Sequence, residues 1–298
     1  MKPVILSLFN DDFVIHAIAK LQGYEVGHVL LRNFPDGESY IKFQDNLHLN
    51  NRELILFTSL DKPNTKILPL ILVAETARAL GARRVGLCAP YLAYMRQDKQ
   101  FKPGEGVTSV YFAKLLSQYV DWLVTVDPHL HRYHDLDEIY AIPNIALHAT
   151  QDIAQWIEQH IIKPLLIGPD RESEQWVAEV AQIAQVPYII LDKNRHGDYD
   201  VDVSAPILGP YDGHTPVLVD DIISTAQTML VVLQHLHKSG MKKPVCVGIH
   251  GVFSNHAYDK LIKAGVASIV TCNTIQHESN GIDVSWLLSE GISKFINK

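Results

Sequence analysis

One segment of the chain combines residues that suit the binding of a phosphorylated sugar. Residues 217–228 run from an apolar stretch into two adjacent carboxylates, Asp220 and Asp221, and then into a hydroxyl-rich turn that opens a helix. Carboxylates at the end of a buried strand can accept hydrogen bonds from two vicinal sugar hydroxyls. The turn can aim N–H groups and hydroxyls at a phosphate, which the positive end of the helix dipole also favours. The residues predicted to hold the phosphate are Ser224, Thr225, Ala226, Gln227 and Thr228.

The same segment also has a purely structural interpretation, as a strand of parallel sheet followed by a capped helix. In that case the two aspartates only fill a loop. Histidines offer no independent metal site, because apart from the group His129, His131 and His134 they are scattered without zinc-ligand spacing. Most of them are expected to be surface residues or satisfied core residues.

Composition and charge are those of an ordinary globular protein. The 298 residues exceed one typical hydrophobic core, so two domains of roughly 150 residues are expected. A hydrophobic fraction of 47% with 20% charged residues indicates a folded rather than a disordered chain. The formal net charge of −7 argues against general nucleic-acid binding, because phosphate backbones attract patches of Lys and Arg.

Cysteines and apolar segments indicate where the protein works. Cys88, Cys246 and Cys272 lie in apolar, strand-like stretches without metal-ligand spacing, which favours buried free thiols in a reducing compartment. A cytoplasmic location is therefore expected. No signal peptide precedes Val4, and the most apolar stretch, Ile67–Val73, is too short to cross a bilayer, so no membrane partner is expected.

Short apolar stretches alternate with amphipathic stretches, and the pattern occurs in both halves of the chain. The predicted strands are Val4–Leu8, Val26–Leu31, Leu54–Thr58, Arg84–Ala89, Trp122–Asp127, Pro164–Gly168, Tyr188–Leu191, Val217–Val219, Val245–Ile249 and Ser268–Cys272. The predicted helices are Asp12–Gln22, Ile67–Leu80, Ser109–Gln118, Ser173–Ala184, Thr225–His237 and Asn255–Ala264. This alternation predicts an α/β protein with two similar doubly wound domains whose sheets are mainly parallel.

Parallel sheets bind ligands beyond the carboxyl ends of their strands, so the informative loops should follow strands. Polar residues do concentrate in the loops that begin at Asp127, Pro169, Asp192 and Asp220. The pattern breaks at Pro143-Asn144, which predicts one domain over residues 1–143 and a second over residues 144–298.

Two segments of the first half carry motifs that resemble those of a known family. Asn33-Phe34-Pro35-Asp36-Gly37-Glu38 resembles the Phe-x-Asp-Gly-Glu loop of ribose-phosphate pyrophosphokinases, also called phosphoribosyl pyrophosphate synthetases. In that family the loop reaches across a subunit interface to the adenine of ATP, which implies a homo-oligomer. Tyr94-Met95-Arg96-Gln97-Asp98-Lys99 is similar to the family's Tyr-x-Arg-Gln-Asp segment, whose Arg and Gln contact ATP. The ATP contacts implied by the two motifs are Phe34, Asp36, Glu38, Arg96 and Gln97.

Two further strand ends are similar to metal-associated elements of the same family. Val126-Asp127-Pro128-His129 resembles its Val-Asp-x-His element, whose histidine helps to hold a magnesium ion associated with ATP. Gly168-Pro169-Asp170 is similar to the segment that supplies a carboxylate near the same metal and the ribose. The resemblance therefore implies Mg²⁺ as the cofactor, with His129 and Asp170 as candidate ligands and His129 also as an ATP contact. The family often continues with glycine or small residues where Arg171 follows here.

Leu191-Asp192-Lys193-Asn194-Arg195 resembles the Asp-Lys-x-Arg start of the family's catalytic flexible loop. The resemblance implies that Lys193 and Arg195 are catalytic and stabilise the transferred diphosphoryl group. In the phosphate turn, family members commonly have Asp and Gly where this chain has Ser224 and Gln227. Ser224 is compatible with the archaeal-like branch of the family, whereas a side chain at position 227 is expected to crowd the turn.

The resemblance covers nearly the whole chain and implies a phosphoribosyltransferase-like fold for each domain. It implies transfer of the β,γ-diphosphoryl group of ATP to the C1 hydroxyl of ribose 5-phosphate, giving phosphoribosyl pyrophosphate and AMP. Two alternatives stay open. A phosphoribosyltransferase would use the 220–228 loop to consume phosphoribosyl pyrophosphate and needs no ATP pocket. A catalytically weak regulatory subunit would keep the fold and associate with an active homologue, and its sequence support is Gln227 and Arg171.

Overall fold

The computed structural model describes residues 1–9, 12–170, 173–191, 193–195, 201–203 and 208–296. Its strands are β1 (Val4–Ser7), β2 (Glu25–Val26), β3 (Val29–Asn33), β4 (Ser39–Phe43), β5 (Glu53–Phe57), β6 (Arg84–Cys88), β7 (Trp122–Val126), β8 (Asn144–Leu147), β9 (Pro164–Gly168), β10 (Tyr188–Ile190), β11 (Lys193–Arg195), β12 (Val201–Val203), β13 (Thr215–Ile223), β14 (Val245–Gly251), β15 (Ser268–Cys272) and β16 (Asn280–Ile282). Its helices are α1 (Asp12–Gln22), α2 (Pro63–Ala79), α3 (Thr108–Leu116), α4 (Thr150–His160), α5 (Glu174–Ala184), α6 (Gln227–Lys238), α7 (Ala257–Lys263) and α8 (Ser285–Ile296). Within these described ranges, no helix has both the length and the apolar character that crossing a membrane requires.

The first unit is built on a six-stranded sheet in the order β2-β1-β5-β6-β7-β8, with all neighbours parallel. Strands β5 and β7 are buried along their whole length, which explains their continuous apolar sequence. The predicted single strand Val26–Leu31 is wrong, because β2 ends at Val26 and β3 starts at Val29 in a separate antiparallel hairpin with β4. Gly27 lies at the break, where a Cβ would meet Val4 at 2.8 Å and Leu47 at 2.9 Å.

The second unit repeats this design with the sheet order β10-β9-β13-β14-β15-β16, again with all neighbours parallel. In both sheets the first strand of the unit sits between the second and the third, and the later strands follow in chain order. The prediction of an α/β fold with two similar, mainly parallel domains is therefore confirmed. Among the described residues, the antiparallel pairs are β3–β4 and β11–β12.

Helix α8 belongs to the first unit, although the predicted domain limits assign it to the second. The contacts divide the chain into Met1–Leu147 with Ser285–Lys298, and His148–Val284. The ring of Trp122 on β7 stacks on Phe295 of α8 with centroids 4.9 Å apart. Gly291 packs so closely that a Cβ there would lie 2.8 Å from the Leu147 side chain on β8. An apolar face of α8 thus covers the end of the first sheet, a long-range contact that helical periodicity does not reveal.

All three cysteines are buried thiols outside any disulfide bond, as predicted from their apolar surroundings. Burial raises the pKa of the Cys246 thiol to about 12. Since the thiolate is the reactive form, Cys246 is an inert core residue at neutral pH.

Candidate functional site

Asp220 and Asp221 lie within strand β13 and not after it. The predicted strand ends at Val219, whereas β13 continues to Ile223 because it pairs with β14 through Asp220 opposite Gly248 and Ile222 opposite His250. The N–H of Asp221 donates to Oδ1 of Asp220 at 3.1 Å, and the N–H of Ile222 donates to Oδ1 of Asp221 at 2.8 Å. Each partly exposed carboxylate is therefore oriented by the backbone of the next residue.

The turn between β13 and α6 leaves the start of the helix open to an anion. Ala226 precedes the helix with φ 58° and ψ 16°, in the left-handed region that L side chains rarely adopt. No side chain caps α6, and its first turn contains no acidic residue. The first N–H groups of a helix have no intrahelical acceptor, so the turn offers donors and a favourable dipole to a phosphate.

Gln227 does not occupy the strained position of this turn. It is the first residue of α6 and is partly exposed, while the positive φ falls on Ala226. The expected crowding of the turn by the Gln227 side chain stays a prediction, because the geometry shows only that the strained position belongs to Ala226. A residue with helical dihedrals at the start of a helix projects its side chain away from the axis, so its N–H remains available.

The loop after β14 braces the phosphate turn, and sequence reasoning missed it. The N–H of Phe253 donates to the carbonyl oxygen of Ile223 at 2.9 Å. The hydroxyl of Ser224 donates to Oγ of Ser254 at 3.4 Å. Gly248 on β14 packs against Ile223, the last residue of β13, since a Cβ at position 248 would meet the Ile223 side chain at 2.7 Å. A glycine inside a predicted strand is the sequence signal that marks such a close approach.

Three rings pack together next to this brace. Phe253 lies 4.5 Å from His277 and 5.3 Å from Tyr258, measured between ring centroids. Burial lowers the pKa of His277, against a smaller opposite effect of Glu278. The pKa of Tyr258 is raised by burial and then by the negative charges of Glu278 and Asp259. A neutral His277 therefore joins an aromatic cluster that supports the loop.

Asp170 follows β9, the strand that pairs with β13. Its Oδ1 accepts from the N–H of Ser173 at 3.2 Å, and its carbonyl accepts from the Ser173 hydroxyl at 2.7 Å. Gly168 makes this sharp exit possible, because a Cβ would lie 2.6 Å from Ile190 and 2.9 Å from the hydroxyl of Ser173. The departure from the family pattern at Arg171 lies outside the described residues.

Lys193 and Arg195 belong to β11, which follows the edge strand β10 and pairs with β12 through Lys193 opposite Val203 and Arg195 opposite Val201. Their side chains lie outside the described part of the structure. Strands β10, β9 and β13 are neighbours in the second sheet. Their carboxyl ends bring the start of β11, Asp170 and the Asp220–Asp221 pair to one edge of that sheet, which is where parallel sheets bind ligands.

In the first unit, residues 34–38 form the tip of the β3–β4 hairpin. The N–H of Phe34 donates to the carbonyl oxygen of Glu38 at 2.7 Å, and the N–H of Glu38 donates to Oδ1 of Asp36 at 3.1 Å. The Phe34 ring is 41% exposed and makes an edge contact with Tyr40. The guanidinium of Arg32 lies 4.8 Å from the Phe34 ring and 4.1 Å from the Tyr40 ring. The tip therefore presents an aromatic ring and two carboxylates, as its motif predicts.

Arg96 and Gln97 lie in the loop between β6 and α3. The Thr108 hydroxyl donates to Oε1 of Gln97 at 2.9 Å, and the N–H of Ser109 donates to the Gln97 carbonyl at 3.3 Å. Arg96 is exposed, whereas the neighbouring Met95 and Asp98 are buried. Arg96 thus projects from a segment whose flanks are anchored.

His129 lies beyond the carboxyl end of β7 in a tightly folded loop. Asp127 and His129 both have positive φ values, 37° and 56°. The N–H of His129 donates to the Asp127 carbonyl at 2.9 Å, and the N–H of His131 donates to the His129 carbonyl at 3.2 Å. The rings of His129 and His131 meet edge to face with centroids 3.9 Å apart. Backbone strain of this kind is typical of functional loops.

The loop of His129 and the loop of Arg96 are joined by an ion pair between Asp98, the aspartate of the Tyr-x-Arg-Gln-Asp segment, and Arg132, which lies outside the motifs. Nη1 of Arg132 lies 2.9 Å from both carboxylate oxygens of Asp98. The Tyr133 hydroxyl donates to the Asp98 carbonyl at 3.2 Å. The first unit therefore brings two of its three predicted ATP segments together.

Comparisons with known proteins identify the family of the chain. A family model described as "N-terminal domain of ribose phosphate pyrophosphokinase" matches residues 4–119, and one described as "Phosphoribosyl transferase domain" matches residues 135–288. A ribose-phosphate pyrophosphokinase of Sulfolobus acidocaldarius is 33% identical over 286 residues, which cover 94% of this chain and 96% of the relative. One of Sulfurisphaera tokodaii is 31% identical over 254 residues, 84% of this chain and 86% of that protein.

The fold has a solved counterpart. The crystal structure of phosphoribosylpyrophosphate synthetase from Mycobacterium smegmatis superposes with a TM-score of 0.84 at 21% identity, covering 100% of both chains. At this identity the likeness concerns the fold. Taken with the two family models and the archaeal relatives, it leads to one conclusion: the chain belongs to the ribose-phosphate pyrophosphokinase family.

Proposed function

We propose that the protein transfers the β,γ-diphosphoryl group of ATP to the C1 hydroxyl of ribose 5-phosphate. The C1 oxygen forms a bond to the β-phosphorus, the bond from that phosphorus to the α,β-bridging oxygen breaks, and AMP leaves with that oxygen while the hydroxyl proton is released. The carrying observation is the end of β13, where two backbone-oriented carboxylates run into the uncapped start of α6. Carboxylates for a diol beside donors for a phosphate match a ribose phosphate.

The acceptor site in this proposal consists of residues of the second unit. Asp220 and Asp221 accept hydrogen bonds from the ribose hydroxyls and orient C1 towards the donor. The 5-phosphate lies at the start of α6, where its charge replaces the missing cap. The residues assigned to the phosphate are Ser224, Thr225, Ala226, Gln227 and Thr228.

The donor site is assigned to residues of the first unit. Phe34 stacks on adenine at the tip of the β3–β4 hairpin, and Asp36 and Glu38 accept from its amino group or ribose. Arg96 supplies positive charge to the phosphates, and Gln97 offers its amide N–H groups, because its Oε1 already accepts from Thr108. Since the hairpin tip is an exposed aromatic, we propose that a second copy of the chain contacts it in a homo-oligomer.

The transferred group needs positive charge, and phosphoryl transfer depends mainly on positioning and charge neutralisation. Lys193 and Arg195 are assigned to this role, each worth about 2–4 kcal/mol in the transition state. Mg²⁺ would neutralise the phosphate oxygens, with His129 and Asp170 as its candidate ligands. The donor chemistry fits, because Mg²⁺ takes a carboxylate and phosphate oxygens and keeps waters that an imidazole can accept from. A cytoplasmic location remains part of the proposal.

Phosphorus NMR tests the reaction directly. Purified protein is mixed with ATP, Mg²⁺ and ribose 5-phosphate, and the controls omit the sugar or the metal. We expect AMP and an anomeric diphosphate to appear together and only in the complete mixture. ATP binding without turnover would support the regulatory subunit instead, and neither binding nor turnover would support a phosphoribosyltransferase. The match of residues 4–119 to the N-terminal domain of the kinase favours synthesis over the latter.

A further inference from the structure

Asp98 and Arg132 form an ion pair in the first unit, and the motif resemblance assigns no role to either residue. The Asp98 side chain is 2% exposed, whereas Arg132 is 36% exposed and reaches it from the loop after β7. Both carboxylate oxygens are 2.9 Å from one nitrogen, Nη1 of Arg132. A carboxylate this deeply buried is stable only with such a partner.

The pair connects two segments that are far apart along the chain. Asp98 follows Arg96 and Gln97, the predicted ATP contacts between β6 and α3. Arg132 follows His129 in the strained loop beyond β7. Since β6 and β7 are neighbours in the sheet, the two loops leave the same edge side by side. The pair fixes one loop against the other.

Further contacts hold the same junction. The Tyr133 hydroxyl donates to the Asp98 carbonyl at 3.2 Å and lies 3.2 Å from Oγ of Ser109 at the start of α3. The guanidinium of Arg132 also lies 5.5 Å from the ring of Phe101. Arg132 therefore has its charge satisfied on the protein side, whereas Arg96 of the neighbouring segment is exposed.

We propose that Asp98 and Arg132 are positioning residues of the ATP site, which hold Arg96, Gln97 and the His129 loop in one arrangement before the nucleotide binds. This inference rests on the proposed function. A preorganised site avoids ordering these loops during binding, and a misplacement of about 1 Å in such a site can cost up to a hundredfold. The pair acts through its neighbours and does not touch the transferred group.

The test compares three variants of the pair with a matched ion pair elsewhere in the unit. Asp98→Asn removes the buried charge without leaving an unpaired one, because Arg132 can turn to water. Arg132→Ala leaves the carboxylate unpaired, and Arg132→Lys restores a cation. The control is Arg78→Ala, which removes a pair with Asp121 at 3.0 Å at the amino-terminal edge of the sheet.

The readouts are KM for ATP, KM for ribose 5-phosphate, kcat and the melting temperature, with kinetics measured where every variant is folded. We expect Asp98→Asn to raise KM for ATP about tenfold and leave KM for ribose 5-phosphate within about twofold. Arg132→Ala should do the same or more, and Arg132→Lys should recover most of the loss. Arg78→Ala should lower the melting temperature and leave both KM values unchanged.

Two results would overturn the positioning role. One is an unchanged KM for ATP in Asp98→Asn, and the other is an equal rise of both KM values, which indicates general loosening of the fold. Turnover and ATP binding of the wild-type protein distinguish failure of the proposed function from failure of the positioning role. If the wild type binds ATP without turnover, the same comparison is made with the dissociation constant of ATP. If it neither turns over nor binds ATP, both proposals fail.

Discussion

The turn after the third strand of each sheet differs between the two units, although the strand order is the same. In the second unit the turn after β13 leaves Ser224 and Thr225 partly exposed. The helix that follows has no side-chain cap and no acidic residue in its first turn, which is also true of α2 in the first unit. In the first unit the turn after β5 is closed: Thr58, Ser59 and Leu60 are at most 2% exposed. Lys66 of α2 donates to the Ser59 carbonyl at 2.7 Å and pairs with Asp61.

The first-unit turn is therefore closed by its own anion and cation, whereas the second-unit turn stays accessible to the proposed phosphate. Pro63 at the start of α2 also removes one of the N–H groups that a phosphate would use. The comparison teaches that the repeated fold does not determine the site, because a few side chains decide whether the turn is closed by its own ion pair or stays partly exposed.

The largest expected effect comes from removing the charge at the open turn. Asp221→Asn should lower kcat/KM for ribose 5-phosphate on the order of a thousandfold, because the ribose loses its orientation towards the donor. The matched control is Asp61→Asn at the closed turn, which should lower the melting temperature and leave turnover within about twofold. Steady-state kinetics on both variants tests this prediction. Equal losses of kcat/KM in Asp221→Asn and Asp61→Asn would contradict the proposed functional difference between the two turns.

Corresponding glycines of the two sheets should differ in what they support. Gly86→Ala on β6 places a Cβ 1.9 Å from the Trp122 ring and should cost about 3 kcal/mol of unfolding free energy in urea. Gly248→Ala on β14 meets the flexible end of Ile223 at 2.7 Å and should cost about 1 kcal/mol.

The functional effect of the two glycine variants should be the reverse. Gly248→Ala displaces the residue before the phosphate turn, so we expect KM for ribose 5-phosphate to rise about fivefold. Gly86→Ala should leave that KM unchanged in the fraction that remains folded. A KM that stays constant in Gly248→Ala would show that β14 does not support the turn.

The left-handed residue of the open turn allows a smaller test. Ala226→Val should cost about 2 kcal/mol of stability, because a β-branched side chain opposes a φ of 58°. It should also weaken binding of ribose 5-phosphate, measured by calorimetry. Gln185→Val is the control, since Gln185 ends α5 with φ 54° and should lose similar stability without any change in binding. Ala226→Gly should bind normally.

The smallest expected effect concerns pH and the aromatic cluster beside the turn. Burial lowers the pKa of His277 below its ordinary 6.5, so on acidification the unfolded chain takes up a proton before the folded one. Stability from this group is complete above about pH 6.5 and falls as pH drops through the lower folded pKa. Thermal melts between about pH 7 and pH 5 should show a larger loss for the wild type than for His277→Gln. Parallel curves would contradict the assignment.

Local sequence patterns were sufficient to predict most helices and strands. They were insufficient where the limits or the position of an element depend on contacts with another element. Strand Ser268–Cys272 was predicted with its observed limits, because a buried parallel strand has a continuous apolar sequence. Strand β13 was predicted to end four residues too early, at Val219, because Asp220 and Asp221 are polar and only pairing with β14 keeps them in the sheet. Helix α8 was not predicted, and its place in the first unit depends on Trp122 and Leu147.

Among the candidate site residues, too, those whose role depends on a second segment of the chain were not predicted. Arg96, Gln97 and His129 were predicted through the resemblance to family motifs, which is recognisable because each motif is contiguous in sequence. Arg132 was not, because its meaning comes from Asp98, a residue on a different loop. The brace of Phe253 and Ser254 is likewise a contact between loops of neighbouring strands. Roles that depend on a second segment leave only weak signals in one sequence.

The sequence alone determined the fold class and the repeat of one α/β design in two halves, and it predicted which residue types would bind a sugar phosphate. These follow from periodicity, burial and side-chain chemistry, which are local properties of the chain. Only the tertiary structure decided that the turn after β13 is open while its counterpart after β5 is filled by Lys66 and Asp61. The two turns have the same strand–turn–helix pattern in the sequence. They differ because packing and charge pairing between residues of the turn and the following helix occur only in the folded structure.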